Sequence, residues 1–497
     1  MFSAFINCFK IPELRQRILF TLALLVIVRL GAAIPVPGIN PEILGEYFRT
    51  MIENQSQGNV LGMFNLFSGG ALKNCAIFSL TIMPYISASI IMQLATGVIP
   101  SLGKLAREEG GRQKITQYTR LGTLFLCIVQ GYFLALSFQN PEGILPGIKA
   151  IMIERGSDLV ATPGWFFIFT TVVTLTAGTM LLMWLGEQIT DKGIGNGISL
   201  IIAVGIVSEL PAAIVAGWNV FNPPVESGKV ALSPVILVLL LAFLFMVIAA
   251  TIMITQAMRK VSVQYARQVR GNKVFGGQSS FLPLKVNYSG VMPIIFANAI
   301  LLFPAAFISM VAPGWMTGKK ISEMLSAGWL HWTLYAVMIF FFSYFWVAMV
   351  FNPTQIADDM KKNGGFIPGV RPGAPTSSFL DFSMTRLTFA GAIFLTALAI
   401  LPMIISSGLK VPYITASFFG GTSLLIIVGV MLDTMRQTET HLLQRHYDGF
   451  LKKGRMRGRS FNSTTGSASV SDDKLIWLLL LVGVIMIGGI VVSLIKH

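Results

Sequence analysis

The sequence predicts an all-α protein that crosses a lipid bilayer many times, and three observations carry that prediction. Of 497 residues, 54% are hydrophobic and only 12% charged, against roughly 25% charged residues in a soluble domain. Apolar runs of about 20 residues, the length that a ~30 Å hydrocarbon core requires, recur along the chain. Lys and Arg gather in the loops of one side, as the positive-inside rule demands, within a net charge of +15. A single soluble core is excluded.

Residues 1–17 read as a short amphipathic stretch on the cytoplasmic side. The first run, 18–34, ends in Pro35-Val36-Pro37-Gly38 rather than a small-residue cleavage site, so it is a retained span and not a removable signal peptide. Further spans are expected at 76–96, 118–138, 163–185, 196–217, 233–256, 289–312, 331–351, 386–406 and 419–435, with another run at 475–495. A cytoplasmic N-terminus places most of the 37 Lys and Arg on that face, in segments such as 104–114, 259–285, 361–386 and 452–459. Cys8, Cys75 and Cys127 have neither paired nor metal-like spacing and read as buried small residues.

Ahead of the second span, residues 64–74 (Phe64-Asn65-Leu66-Phe67-Ser68-Gly69-Gly70-Ala71-Leu72-Lys73-Asn74) are apolar enough to enter the membrane region but too short to cross it. They fit a re-entrant segment, which implies a cavity around it, or an external interfacial loop. Ile82 and Ile86 stand at i and i+4 with Pro84 between them, expected to bend the helix, and Ile198 and Ile202 repeat the spacing. By spacing alone these are ordinary lipid-facing or helix-packing residues. The mechanistic alternative is an apolar girdle that excludes ions by dewetting.

Between the sixth and seventh spans, Val261-Ser262-Val263-Gln264-Tyr265 alternates, and Arg270-Gly271-Asn272-Lys273 then leads into Val274-Phe275, the pattern of a basic-tipped β-hairpin. The connection 352–386 is also long, with Gly364-Gly365, Pro368-Gly369 and Pro372-Gly373 placing turns around Arg371. Each basic cluster suits anionic lipid head groups, or a large acidic partner. Few ionisable residues fall within spans: Arg29, Glu209, Asp433 and His331 lie near span ends. No phosphate-binding loop, His-Glu-x-x-His or Gly-x-Ser-x-Gly occurs. Gly193-Ile194-Gly195-Asn196-Gly197 reads as a tight cytoplasmic turn, with Asn196 capping the next helix.

Several of these stretches, in order, resemble one family. Asn65 to Leu72 running into Ile82-Met83-Pro84-Tyr85-Ile86-Ser87-Ala88-Ser89-Ile90 is similar to the plug and second helix of the SecY family. So are Trp184-Leu185-Gly186-Glu187-Gln188-Ile189-Thr190, Leu282-Pro283-Leu284-Lys285-Val286-Asn287, Phe351-Asn352-Pro353, Phe366-Ile367-Pro368-Gly369-Val370-Arg371-Pro372-Gly373 and Gly420-Gly421-Thr422-Ser423-Leu424-Leu425-Ile426. The resemblance spans about residues 10 to 450.

That resemblance implies a SecY-type channel of ten core helices in two pseudo-symmetric five-helix halves, 18–217 and 218–436, with an hourglass pore. Five passes per half fit an inverted repeat. It implies a pore ring of Ile82, Ile86, Ile198, Ile202, Ile295 and Ile426, and a plug of Asn65, Leu66, Phe67, Ser68, Gly69, Gly70, Ala71 and Leu72. It also implies a lateral gate between the second and third spans and the seventh and eighth, with Gln93, Gln130, Asn298 and Phe303 as candidates. Arg259, Arg267, Arg270, Lys273 and Arg371 become the docking surface for a ribosome or the SecA ATPase.

The implied partners are SecE and SecG subunits, SecA, the ribosome, signal peptides and nascent chains, and anionic lipids. The implied location is the bacterial cytoplasmic (inner) membrane, with no cofactor, no metal and no catalysis by this chain. The chain departs from the family after the tenth span: a basic tail and Ser/Thr/Gly-rich linker, 437–474, leads to an additional apolar run, 475–495, long enough to span. The alternative reading is a secondary transporter with inverted repeats, but the spans supply few of the midplane polar ligands it needs.

Overall fold

The computed structural model describes residues 11–53, 65–66, 68–108, 110–141, 145, 148–222, 234–265, 268–270, 273–275, 279–311, 320–321, 324, 328–409 and 413–452. The expected N-terminal stretch is therefore described only from residue 11, and the linker beyond residue 452 and the run 475–495 lie outside the described residues.

Helix α1 (Pro12–Gly31) opens with a proline, whose fixed φ and missing N–H suit a first turn. It leads to α2 (Pro41–Glu53). The second expected span does not begin as helix at residue 76: residues 69–82 form turns, and α3 starts at Met83 (Met83–Val98). Pro84 consequently sits in the first helical turn, where no backbone donor is lost, and does not bend the middle of a helix. Thr81 Oγ1 accepts from the Met83 amide at 3.1 Å, satisfying one of the free donors at the helix start. At its far end α3 turns through 106° into the short α4 (Pro100–Arg107).

Long helices α5 (Gly111–Gln139) and α7 (Trp165–Lys192) flank the short α6 (Ile148–Arg155). Asn196 caps α8 (Gly197–Ser208), as its sequence position predicts, accepting from the Ser199 amide at 3.2 Å. Glu209 separates α8 from α9 (Leu210–Phe221) within one span. Beyond α10 (Pro234–Gln256) come strands β1 (Met258–Tyr265), β2 (Gln268–Arg270), β3 (Lys273–Phe275) and β4 (Ser279–Lys285). Then follow α11 (Met292–Val311), α12 (Trp329–Val350), α13 (Pro353–Lys362), β5 (Gly365–Phe366), α14 (Ala374–Leu409), α15 (Tyr413–Ala416) and α16 (Gly421–Lys452).

Among the described residues, six helices are long and apolar enough to cross a membrane, or seven if the bent pair α3–α4 is one span. The other expected spans, 18–34, 289–312 and 419–435, coincide with α1, α11 and α16. Arg15, Arg17 and Arg29 dilute the apolar character of α1, and the C-terminal half of α16 is charged from Asp433 onward.

The basic hairpin exists, and it is larger than the sequence pattern showed. β1 pairs antiparallel with β4 from Met258↔Lys285 to Gln264↔Ser279, while the distal β2–β3 pair closes at Arg270↔Lys273. The other long connection contributes β5, which adds to β1 through Gln264↔Phe366 and Tyr265↔Gly365. Both loops thus share one three-stranded sheet, ordered β4-β1-β5. Val261 and Val263 turn inward in the period-two manner of a half-buried strand. Val261 joins Leu284, Val347, Phe351, Ile367, Leu380 and Met384 in a core that fastens the sheet to α12 and α14.

The main hydrophobic core runs through α1, α3, α7, α8, α10, α11, α12, α14 and α16. A second core, at the end of the bundle opposite the sheet by the count of passes, gathers Ile43, Tyr47, Leu72, Cys75, Ile148, Leu159 and Phe167.

Candidate functional site

Five of the six isoleucines singled out in the sequence meet. Ile82 and Ile86 from the start of α3, Ile202 from α8, Ile295 from α11 and Ile426 from α16 surround one cavity of about 20 Å³, together with Thr81, Met83 and Asn298. These five isoleucines are between 0% (Ile426) and 8% (Ile295) exposed. Ile82 precedes the first helical residue of α3, yet the amide of Ile86 still bonds its carbonyl at 3.1 Å, so both side chains face one way. The cavity has room for about one water molecule. Its wall is mostly apolar, with Thr81 and Asn298 its polar side chains, so a water or ion there would forfeit most of its hydrogen-bond partners.

A larger cavity of about 200 Å³ lies on one side of this constriction and shares Ile86, Ile202 and Ile295 with it. Ile198, the sixth isoleucine, lines this wider space and not the narrow one, beside Tyr85, Ser89, Gln93, Asn196 and Ser199. A third cavity, about 30 Å³, shares Thr81, Ile82 and Ile202 with the constriction and is lined by Arg29, Ser68 and Gly205 as well. Ile202 lines all three. The order is wide, narrow, then occupied by chain.

The occupying chain is the segment expected to re-enter. Asn65, Leu66, Ser68, Gly69, Gly70, Ala71 and Leu72 are all buried, so the segment packs inside the protein; Phe67 lies outside the described residues. The segment ties itself into a compact turn. Ser68 Oγ donates to the Asn65 carbonyl (2.8 Å) and accepts from the Leu72 amide (3.2 Å), and Asn65 Oδ1 accepts from the Lys73 amide (3.0 Å). Gly69 and Gly70 hold φ of +60° and +81°, the left-handed region that glycine alone enters without cost. A Cβ on Gly69 would lie 2.6 Å from the Gly205 Cα, and one on Gly70 would meet Glu209 Oε1.

Charged side chains complete this contact. Arg29 Nη1 donates to the Gly69 carbonyl at 3.1 Å, Ser208 Oγ donates to the same oxygen at 3.2 Å, and Lys73 Nζ pairs with Glu209 Oε1 at 3.0 Å. Sequence reading noticed Arg29 and Glu209 as span-end charges but missed Lys73 as a partner. It also missed the polar wall of Tyr85, Ser89, Asn196 and Ser199, since isolated Ser, Asn and Tyr carry no spacing signal.

The gate candidates divide. Gln93 lines the wide cavity and its Nε2 donates to Ser89 Oγ at 3.3 Å, and Asn298 lines the narrow one. Helix α11 packs on both α3 and α5, but Gln130 of α5 lines none of the three cavities. The side chain of Phe303 lies outside what is described. Arg259 on β1 and Arg371 after β5 are exposed, and β1 and β5 belong to one sheet. The register places Arg270 and Lys273 at the distal pair, and Arg267 lies outside the described residues. Cys75 and Cys127 are buried free thiols, and Cys8 lies outside the described residues. Among the described residues no group of His, Cys, Asp and Glu is arranged to hold a metal.

A family model described as SecY matches residues 76–435. The protein translocase subunit SecY of Thermotoga maritima is 41% identical over 467 residues, covering 92% of this chain and 100% of that one. The Chlamydia trachomatis subunit is 45% identical over 458 residues (91% and 98%), and that of Escherichia coli K12 is 44% identical over 450 (90% and 96%). A solved structure of a protein-conducting channel matches with a TM-score of 0.57 at 18% identity, covering 88% of this chain and 94% of its own. Sec61 from a canine ribosome–channel complex matches with a TM-score of 0.54 at the same identity and coverage. At that identity the two structures speak to fold alone.

Proposed function

This chain belongs to the SecY family, and from that premise we propose that it is the protein-conducting channel of a translocase, through which unfolded secretory polypeptides cross a membrane and from which signal or transmembrane helices leave sideways into lipid. The observation that carries the reading is the meeting of five isoleucines around a cavity of about 20 Å³, with a wide cavity on one side and a folded-in segment on the other. Such a girdle seals by dewetting, with no charged barrier, and deformable aliphatic side chains let it close around a passing chain.

The six isoleucines act as the pore ring, with Ile198 at its wide-side margin, and residues 65–72 act as the plug. Residues 18–217 and 218–436 form the two halves. Opening is a population shift: a signal helix inserts where α11 meets α3 and α5, partner docking favours the open clamp, and the segment leaves the waist. Gln93 and Asn298, near that seam, serve the gate.

The chain binds no cofactor and is driven from outside, by a ribosome or by a SecA-type ATPase seated on the β4-β1-β5 sheet. The exposure of Arg259 and Arg371 on that body supports this, since basic tips suit phosphate-rich or acidic surfaces. SecE and SecG subunits and anionic lipids complete the assembly. The orientation is N-terminus cytoplasmic in a bacterial inner membrane, supported by the basic loops. The test is photo-crosslinking from positions 295 and 426 to a stalled secretory chain. Labelling that requires an intact signal sequence is expected, and no labelling with all partners present would favour the transporter reading instead.

A further inference from the structure

The three charges around the folded-in segment are not needed to seal the waist, which is apolar. Lys73 ends the segment, and Glu209 stands at the junction of α8 and α9 with its side chain 4% exposed. Lys73 Nζ reaches it at 3.0 Å. Arg29 enters from α1, donating to the Gly69 carbonyl at 3.1 Å and standing within electrostatic reach of Glu209. Ser208, the last residue of α8, donates to that same carbonyl. The Lys73–Glu209 and Ser208–Gly69 contacts join the segment to one short stretch, 205–209, Arg29 ties the segment to α1, and Gly69 and Gly70 are bare of side chains where they meet that stretch.

We infer that Lys73 and Glu209, with Arg29 as the second clasp, form an electrostatic latch that fastens the plug segment to the α8–α9 junction and sets how strong an opening signal must be. The inference rests on the channel reading above. A carboxylate this buried is stable only while paired, so the closed state is favoured as long as Lys73 stays in place. Release of the segment separates the pair and puts both charges in contact with water, which gives the element two discrete states instead of a continuum. Lys73 is 35% exposed, so water already reaches one side of the pair and the latch can open without a large desolvation barrier. The three groups are positioning residues: none of them lines the narrow cavity.

Native cysteines provide the test. Cys75 lies two residues after Lys73 and is fully buried, and Cys127 is fully buried within α5. In membranes containing the assembled complex, Glu209→Gln and, separately, Lys73→Met should raise the rate of Cys75 alkylation about tenfold and leave Cys127 slow. Both should also admit a client with a defective signal sequence that the parent rejects. Unchanged Cys75 labelling and unchanged rejection overturn the latch. Equal acceleration at Cys127 overturns it too, because the pair would then hold the bundle and not the segment. The alkylation readout needs no client. Failure of the parent to move any client would therefore sink the channel reading while leaving the latch to be judged by Cys75.

Discussion

Ile202 is the residue through which the three cavities communicate, and Ile202→Asn is the sharpest perturbation of the seal. Its side chain is 7% exposed, so the closed state loses about 1.5–3 kcal/mol of apolar burial when it is removed. The new amide is placed among Ile82, Ile86, Ile295 and Ile426, with Thr81 and Asn298 the polar side chains lining the same cavity. Each donor or acceptor they leave unpaired adds about 1–3 kcal/mol. In the proposed open state position 202 is expected to face water, where most of both terms vanishes. Even the lower sum, about 2.5 kcal/mol, moves the open-to-closed ratio by nearly two powers of ten.

The assay is ion conductance of the reconstituted, client-free complex in planar bilayers. Ile202→Asn should conduct in long or frequent openings where the parent is silent. Ile202→Val is the control: it removes one methylene, worth about 0.5–1.5 kcal/mol, but keeps the ring apolar and should stay closed. An assembled, stable Ile202→Asn complex as silent as the parent would refute the dewetting argument. Equal leakage from the asparagine and valine variants would refute it as well, since volume and not polarity would then make the seal.

Three other outcomes are expected. Gly178→Val places a side chain against the carbonyl of Ile77, where α7 meets the turns before α3, and should lower thermal stability by about 1–3 kcal/mol, read from unfolding in detergent. Asn352→Ala removes the acceptor for the Gln355 amide and should cost about 1 kcal/mol, seen as faster hydrogen exchange in α13. Arg259→Ala and Arg371→Ala should each weaken ribosome binding and flatten its dependence on salt by roughly one released counterion, leaving client-free conductance unchanged.

The features that were legible in the sequence are those written locally. Ile82 with Ile86 needed only helical spacing to be noticed, and the re-entrant segment needed only a short apolar stretch rich in glycine beside a span. That Ile295 and Ile426 join them came from resemblance, because no periodicity links residues so far apart. Pro84 was misread for a physical reason: inside a continuous apolar run a proline looks like a kink, and only the turns across 69–82 show that the helix has not yet begun there. The Lys73–Glu209 pair spans 136 residues, and a single lysine beside a glycine-rich segment resembles any solvent-facing charge. β5, at two residues, is too short to leave a strand signature, and it forms because β1 presents an unpaired edge beside it.

That small strand changes what a docking partner can do mechanically. Without β5, a ribosome or motor gripping one loop would deform that loop alone, as happens with a flexible connector. With β5 paired to β1, and the buried cluster of Val261, Leu284, Phe351 and Leu380 beneath, the two loops form a single stiff handle rooted in α10, α11, α12 and α14. If a partner docks there as proposed, a push at the tip is expected to load those helices together rather than one loop alone. Ile295 rides on one of them, α11, and lines the narrow cavity together with Ile82 and Ile202. The proposed docking surface and the helix that carries Ile295 are therefore parts of one connected unit.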